Sequence, residues 1–270
     1  MKNKVVIITG GSSGIGKACA EKFGSEGAKV VVTGRNPEKL QETEQWLKNK
    51  GIDVLAIIAD VSLQEDCKRM VAHTVDRFGT IDILINNAGI TMRALFEDAD
   101  VEVIKKVMDI NFYGTVYATK YALPYILKQK GSIVAVSSIA GLRGLPARIG
   151  YSSSKFAMQG FMESLRAELL YKGVHVLVAC PGFTTSNIRT SALGEDGSVQ
   201  GESPRDEGKM MTAEEVANHM YKAVVKRKRD IVLTTQGKLT VFMNKWFPGF
   251  MDKVVFKVLA KEKDSPLQKA

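Results

Sequence analysis

The chain has 270 residues, 45% of them hydrophobic and 25% charged, enough apolar surface for one core and consistent with a single α/β domain. Cys19, Cys67 and Cys180 are too few and too scattered for a disulfide framework, and neither they nor His73, His175 and His219 show metal-ligand spacing. Of a formal charge of +9, the stretch 226–270 carries eleven Lys and Arg against four Asp and Glu; no nucleic-acid-binding module accompanies it, so an anionic surface fits this basic end better.

The apolar run after Met1 is too short for a secretory signal, so a cytoplasmic location is expected. Short β-branched runs at 5–9, 29–33, 54–59, 83–86, 132–137, 174–180 and 231–234 alternate with stretches of helical period. Most are continuous apolar runs, the mark of strands covered on both faces, so a doubly wound parallel sheet of seven strands, a Rossmann fold, is predicted. The intervening helices include a long one over about 101–127 and another over 151–171. Thr212-Ala213-Glu214-Glu215 has the form of a capping box and opens the last core helix. The Gly-, Ser- and acid-rich segment 187–211 follows a strand end, where ligands bind in open α/β sheets, and reads as a substrate lid or as a surface loop. The predicted division is a catalytic domain over 1–236 and a basic amphipathic extension over 237–270.

The first strand runs into Thr9-Gly10-Gly11-Ser12-Ser13-Gly14-Ile15-Gly16, and a helix follows. Glycines allow a tight turn and close approach of a pyrophosphate, while the helix N-terminus offers unpaired N–H groups. Strand two ends in Gly34-Arg35, where an acid would accept the ribose hydroxyl of NAD; Arg35 instead suits the extra phosphate of NADP. Tyr151 and Lys155 lie four apart on one helix face. An ammonium about 5 Å from a phenol, at an effective dielectric near 20, contributes roughly 3 kcal/mol and is expected to lower the tyrosine pKa by about two.

Together with Asn86-Asn87-Ala88-Gly89, Asn111, Ser138 and Pro181-Gly182, these motifs resemble the short-chain dehydrogenase/reductase family in content, order and spacing over about 4–234. The resemblance implies hydride transfer between NADP(H) and a carbonyl or alcohol carbon. Tyr151 would be the proton donor and Ser138 the hydrogen-bond partner of the substrate oxygen. Lys155 would hold the nicotinamide ribose, and Asn111 would keep a proton path open to Lys155. Gly10, Ser12, Ser13, Gly14, Ile15 and Gly16 would cradle the dinucleotide, Asp60 and Val61 would meet the adenine, and Asn87 its ribose. Pro181 and either Thr184 or Ser186 would frame the nicotinamide. Asp60 equally suits a helix cap for the segment from Ser62. No metal is required, and a non-catalytic dinucleotide-binding regulator is the alternative from another class.

In the extension, Lys253, Lys257 and Lys261 recur every four residues beside Val254, Val255, Val258 and Leu259, with Trp246, Phe247 and Phe250 just upstream. This pattern, over 239–261, suits a helix lying in a membrane surface, here the inner face, or one packed on the protein. A basic aromatic extension is also similar to membrane-associated hydroxysteroid dehydrogenases and 3-ketodihydrosphingosine reductases. It points to a hydrophobic or long-chain ketone, with 3-oxoacyl thioesters, hydroxysteroids and small soluble ketones as alternatives. The family resemblance implies a homo-oligomer.

Overall fold

The computed structural model describes residues 1–185, 188–205, 208 and 210–268. Seven strands form one parallel sheet in the order β3-β2-β1-β4-β5-β6-β7. They are β1 (Val5–Ile8), β2 (Lys29–Gly34), β3 (Val54–Ile58), β4 (Ile83–Asn86), β5 (Ser132–Val136), β6 (His175–Cys180) and β7 (Asp230–Val232). Every residue of β1, β4, β5 and β6 is buried. That explains why these strands read as unbroken apolar runs: helices cover both faces.

On one face, α1 (Gly14–Ser25), α2 (Pro37–Asn49) and α7 (Ala213–Val225) pack Phe23, Leu47 and Met220 against Val6, Val32 and Leu177. On the other, α3 (Gln64–Phe78), α5 (Gly114–Gln129) and α6 (Ile149–Glu168) pack Met70, Ile126 and Met158 against Ile7, Leu84 and Ile133. Each such fully buried side chain contributes roughly 1.5–3 kcal/mol against unfolding. The capping box is formed: Thr212 Oγ1 accepts from Glu215 N at 3.1 Å, and Thr212 N donates to Glu215 Oε2 at 2.8 Å.

The long helix anticipated over 101–127 is interrupted. It consists of α4 (Val101–Met108), a π turn at Asp109–Tyr113 and then α5. A π turn inserts one residue into the helical repeat and so rotates the side chains that follow. Asn111 lies in this turn, fully buried.

The segment after β6 is pinned where it is described. Leu193 N donates to Thr91 O at 3.0 Å and Leu193 O accepts from Arg93 N at 2.8 Å, so it pairs with the chain that leaves β4. The C-terminal extension forms α8 (Thr235–Trp246) and α9 (Pro248–Ala260), followed by a short 3-10 turn at Pro266–Gln268. Met251, Val255, Leu259 and Leu267 bury against Ala147.

Candidate functional site

In a doubly wound sheet the crevice opens where consecutive crossovers leave to opposite faces, between β1 and β4 here. Just beyond these strands, Thr9 Oγ1 accepts from Asn87 N and Ala88 N, both at 3.0 Å. Asn87 Nδ2 donates to Thr9 O at 3.0 Å and Gly10 O at 3.1 Å. The asparagine motif after β4 therefore holds the glycine turn after β1 in shape.

Within that turn Gly10 and Gly14 have φ of +64° and +49°, the left-handed region that favours glycine. A Cβ at Gly16 would stand 2.2 Å from Gly10 O and 2.5 Å from Asn87 Nδ2, so α1 meets the turn only if that position is bare. The N-cap of α1, Ser13, makes no side-chain capping bond, and no acid stands in the first turn. The positive end of the helix is thus open to an anion.

The turn forms one end of a cavity of about 520 Å³. Gly10, Ser12, Ser13, Gly14 and Ile15 line it there, and Gly16 supports them from behind. Arg35, Asp60, Val61 and Asn87 line the next part. Arg35 is half-exposed, with Nη1 3.7 Å from Asp60 Oδ2. Asp60 Oδ1 also accepts from Ser62 N at 3.0 Å and Ser62 Oγ at 2.7 Å. Asp60 thus turns the chain at Ser62 but caps no helix, since α3 begins at Gln64 with Leu63 as its N-cap and no side-chain cap bond; of its two expected places only the one on the cavity wall is found. The bare glycine turn at the uncapped end of α1, with a basic side chain along the wall, fits a dinucleotide.

Ser138, Tyr151, Lys155, Pro181 and Thr184 line the far part. Ser138 follows β5 and stands close enough to the Tyr151 hydroxyl to lower its pKa, while its Oγ accepts from Ala140 N at 3.1 Å. Lys155, one turn along α6, is buried, with Nζ donating to Val136 O at 2.8 Å and lying 5.7 Å from the Tyr151 ring centroid. Asn111 stands behind this group and does not line the cavity. Its Oδ1 accepts from Ile90 N at 2.8 Å, and its Nδ2 donates to Ile90 O and to Ser154 Oγ, both at 2.9 Å. A methyl at Gly89 would lie 3.1 Å from Asn111 Oδ1 and 3.6 Å from Lys155 Nζ, so these two groups converge on one backbone spot. Ser186 lies outside the described residues, as does Asn187 at the start of the expected lid.

The electrostatics differ from the expectation for the Tyr151–Lys155 pair. Burial raises the Tyr151 pKa, opposed by the Ser138 side chain and the positive charge of Arg148. Burial also pushes Lys155 down from 10.5 to about 8, so desolvation outweighs attraction at both groups.

The 187–211 segment, expected as a lid, gives Arg189 and Arg205 to the remaining wall, whereas sequence reasoning missed Glu262 and the side chains of α9. Arg148, Arg189, Arg205 and Glu262 line the cavity, as do Met251, Val255 and Leu259 of α9. These come from four separate segments and belong to no motif; only their net positive charge could have drawn notice.

The family model of the short chain dehydrogenases matches residues 4–196. The chain belongs to the short-chain dehydrogenase/reductase family. Dehydrogenase/reductase SDR family member 7B of Mus musculus is 36% identical over 98% of this chain and 84% of its own length. An 11-beta-hydroxysteroid dehydrogenase-like protein 2 of Arabidopsis thaliana is 39% identical over 71% of this chain and 63% of its own. Among solved structures, a family member from Burkholderia phymatum in complex with NAD has a TM-score of 0.82 at 25% identity, covering 92% of this chain and 95% of that one. An alcohol dehydrogenase from Thermococcus sibiricus complexed with 5-hydroxy-NADP shares the fold, with a TM-score of 0.76 at 22% identity over 86% and 96% of the two chains. The protein is thus an oxidoreductase of the CH–OH/C=O class that binds a nicotinamide dinucleotide.

Lys155 is expected to lose its proton near pH 8, readable as titration of its Cε carbon NMR signal, assigned by the loss of that signal in Lys155→Met. The unfolded chain keeps this proton up to about 10.5 and so binds more protons between the two values. This group's contribution therefore makes stability rise with pH across that window.

Proposed function

We propose that the protein reduces a hydrophobic ketone with NADPH, with Tyr151 as proton donor. The observation that carries this reading is the Tyr151 hydroxyl, set beside Ser138 and Lys155 in the same cavity as the glycine turn. A bound nicotinamide dinucleotide supplies the hydride. The raised pKa keeps Tyr151 neutral at physiological pH, the form needed to give a proton to a developing alkoxide. Ser138 donates a second hydrogen bond to the same oxygen, and preorganised donors act strongly where water is excluded. The Lys155 ammonium holds the nicotinamide ribose and steadies the phenolate left by proton transfer. Asn111, through Ile90 and Ser154, positions this wall.

Arg35 supports NADPH over NADH, since it reaches the cavity beside Gly34, a position that carries no carboxylate of its own. Ser12, Ser13, Ile15, Val61, Asn87, Pro181 and Thr184 are assigned to the cofactor on the same footing, and the segment 187–211 to the lid over the substrate end. The apolar wall of Leu145, Met251, Val254, Val255, Val258 and Leu259 supports a long-chain or polycyclic ketone, and the hydroxysteroid name of one relative agrees with a polycyclic one. Exposed Phe96, Ile149 and Phe156 lie together on one outer groove and support assembly into a homo-oligomer.

The extension has two faces. Val255, expected at a membrane surface, instead lines the cavity, while Trp246, Phe247 and Phe250 stand 62%, 55% and 58% exposed beside Lys245 and Lys253. No helix among the described residues is long and apolar enough to cross a membrane. Exposed aromatics with lysines support contact with an anionic lipid surface.

NADPH oxidation measured against ketones of graded chain length tests the central reading, and Tyr151→Phe is expected to lose most turnover while keeping NADPH affinity. Arg35→Ala is expected to weaken NADPH by about ten- to hundredfold and NADH far less, by titration of both cofactors. Binding to anionic vesicles is expected to be weak and salt-sensitive, and to fall in Trp246→Ser/Phe250→Ser, by co-sedimentation. Truncation of the extension would also remove the cavity wall, so these outward substitutions are the cleaner test.

A further inference from the structure

The wall of the cavity that α9 completes carries a charge that hydride transfer does not use. Glu262, only 2% exposed, is surrounded by guanidinium groups. Its Oε2 accepts from Arg148 Nη2 at 2.7 Å and lies 3.6 Å from Arg93 Nε, and its Oε1 accepts from Arg205 Nε at 2.6 Å. Arg93 sits behind the cavity, donating to Lys263 O at 2.5 Å, with exposed Asp264 near enough to act on it. Arg148 and Arg205 line the cavity and share Glu262 between them, and Arg189 is a third lining guanidinium. Among the described residues Arg148 and Arg205 therefore set two positive charges against the one negative charge of Glu262 at this end of the cavity.

A guanidinium taken out of water is costly unless it is matched, and three forks around one carboxylate leave donors over. Among the described residues the buried Nη2 of Arg205 has no hydrogen-bond partner, and the Arg205 fork is stacked 3.9 Å from the centroid of Phe183. Phe183 follows Pro181-Gly182 on the same wall, so Arg205 is a fixed donor in the cavity and not a loose surface side chain. Arg148 precedes Tyr151 by three residues, and its charge is felt at the phenol.

We propose that the ketone reduced by this enzyme carries an anionic group, a carboxylate or a phosphate monoester, bound by Arg148 and Arg205 while its apolar portion lies along α9. This rests on the ketone-reductase reading and names the substrate class for it. In the free protein Glu262 holds the two forks apart and in place, satisfying part of their charge until the substrate anion brings the rest. The same surplus repels an ammonium, so the amino ketone 3-ketodihydrosphingosine, anticipated from the basic aromatic extension, fits this cavity poorly.

The test uses short-chain ketones of one length that end in a carboxylate, a phosphate monoester, a methyl ester or an ammonium, assayed with NADPH and with NADH. At least one anion is expected to exceed the ester in kcat/KM by about ten- to hundredfold, mainly through KM, with the ammonium compound the poorest. Which anion wins tells carboxylate from phosphate. In Arg205→Gln the ratio of anion to ester is expected to fall towards one, while Arg205→Lys, which keeps the charge, retains part of it. Equal use of ester and anions, preference for the ammonium, or an unchanged ratio in Arg205→Gln overturns the proposal and leaves the reductase reading standing. If no ketone oxidises either cofactor, the reductase reading fails instead. The anion site is then decided by calorimetric binding of alkyl carboxylate, alkyl phosphate and ester to the dinucleotide-loaded protein: tighter binding of an anion, weakened in Arg205→Gln, supports it, and equal binding overturns it.

Discussion

Strands β1 and β4 lie side by side at the centre of the sheet, but the helices that follow them are drawn to opposite faces. Two polypeptide segments therefore leave the same edge in diverging directions, and a space opens between them. Thr9 and Asn87 brace that space with four hydrogen bonds to backbone groups, two accepted by the threonine hydroxyl and two donated by the asparagine amide. The glycine turn, the open end of α1, and the placement of Arg35 and Asp60 along the wall all depend on this brace. A bare Gly16 is needed for the same reason, because the turn is held against the helix with no room for a side chain.

The chemistry at the other end of the cavity is set by burial more than by pairing. Lys155 is deep enough for desolvation to lower its pKa, and Tyr151 is deep enough for desolvation to raise its own. The two shifts move the phenol and the ammonium apart on the pH scale, so Tyr151 keeps its proton at pH values where Lys155 has already lost its own. The π turn serves this arrangement. It places Asn111 where its amide holds Ile90 and Ser154, so that α6 and the segment after β4 keep a fixed spacing around Lys155.

The C-terminal extension joins two physical demands in one pair of helices. The inward face of α9 completes an apolar cavity, and the residues after it bring Glu262 into a nest of arginines. Its outward neighbours expose tryptophan and phenylalanine among lysines. A ligand with an apolar body and a charged end would find both kinds of environment within one cavity, and the exposed aromatics surround the same helices that wall it.

Much of the architecture was legible along the chain because a parallel strand covered on both faces favours apolar residues along its length, and most of the seven strands read as such runs. The glycine turn, Asn87, Ser138, Tyr151 and Lys155 were legible for a related reason: each answers a local geometric demand at a fixed spacing from a strand end or a helix start. The interruption of the helix near Asn111 was not, since hydrophobic periodicity averages over several turns and a single inserted residue leaves the pattern intact. Nor was the sign of the Tyr151 shift, because spacing on a helix gives proximity to a charge but not depth below the surface. The face that α9 turns inward, and the meeting of Arg93, Arg148, Arg205 and Glu262, come from segments as much as 169 positions apart. Residue type and local spacing follow from sequence alone, whereas burial and long-range convergence of charge exist only once the chain has closed on itself.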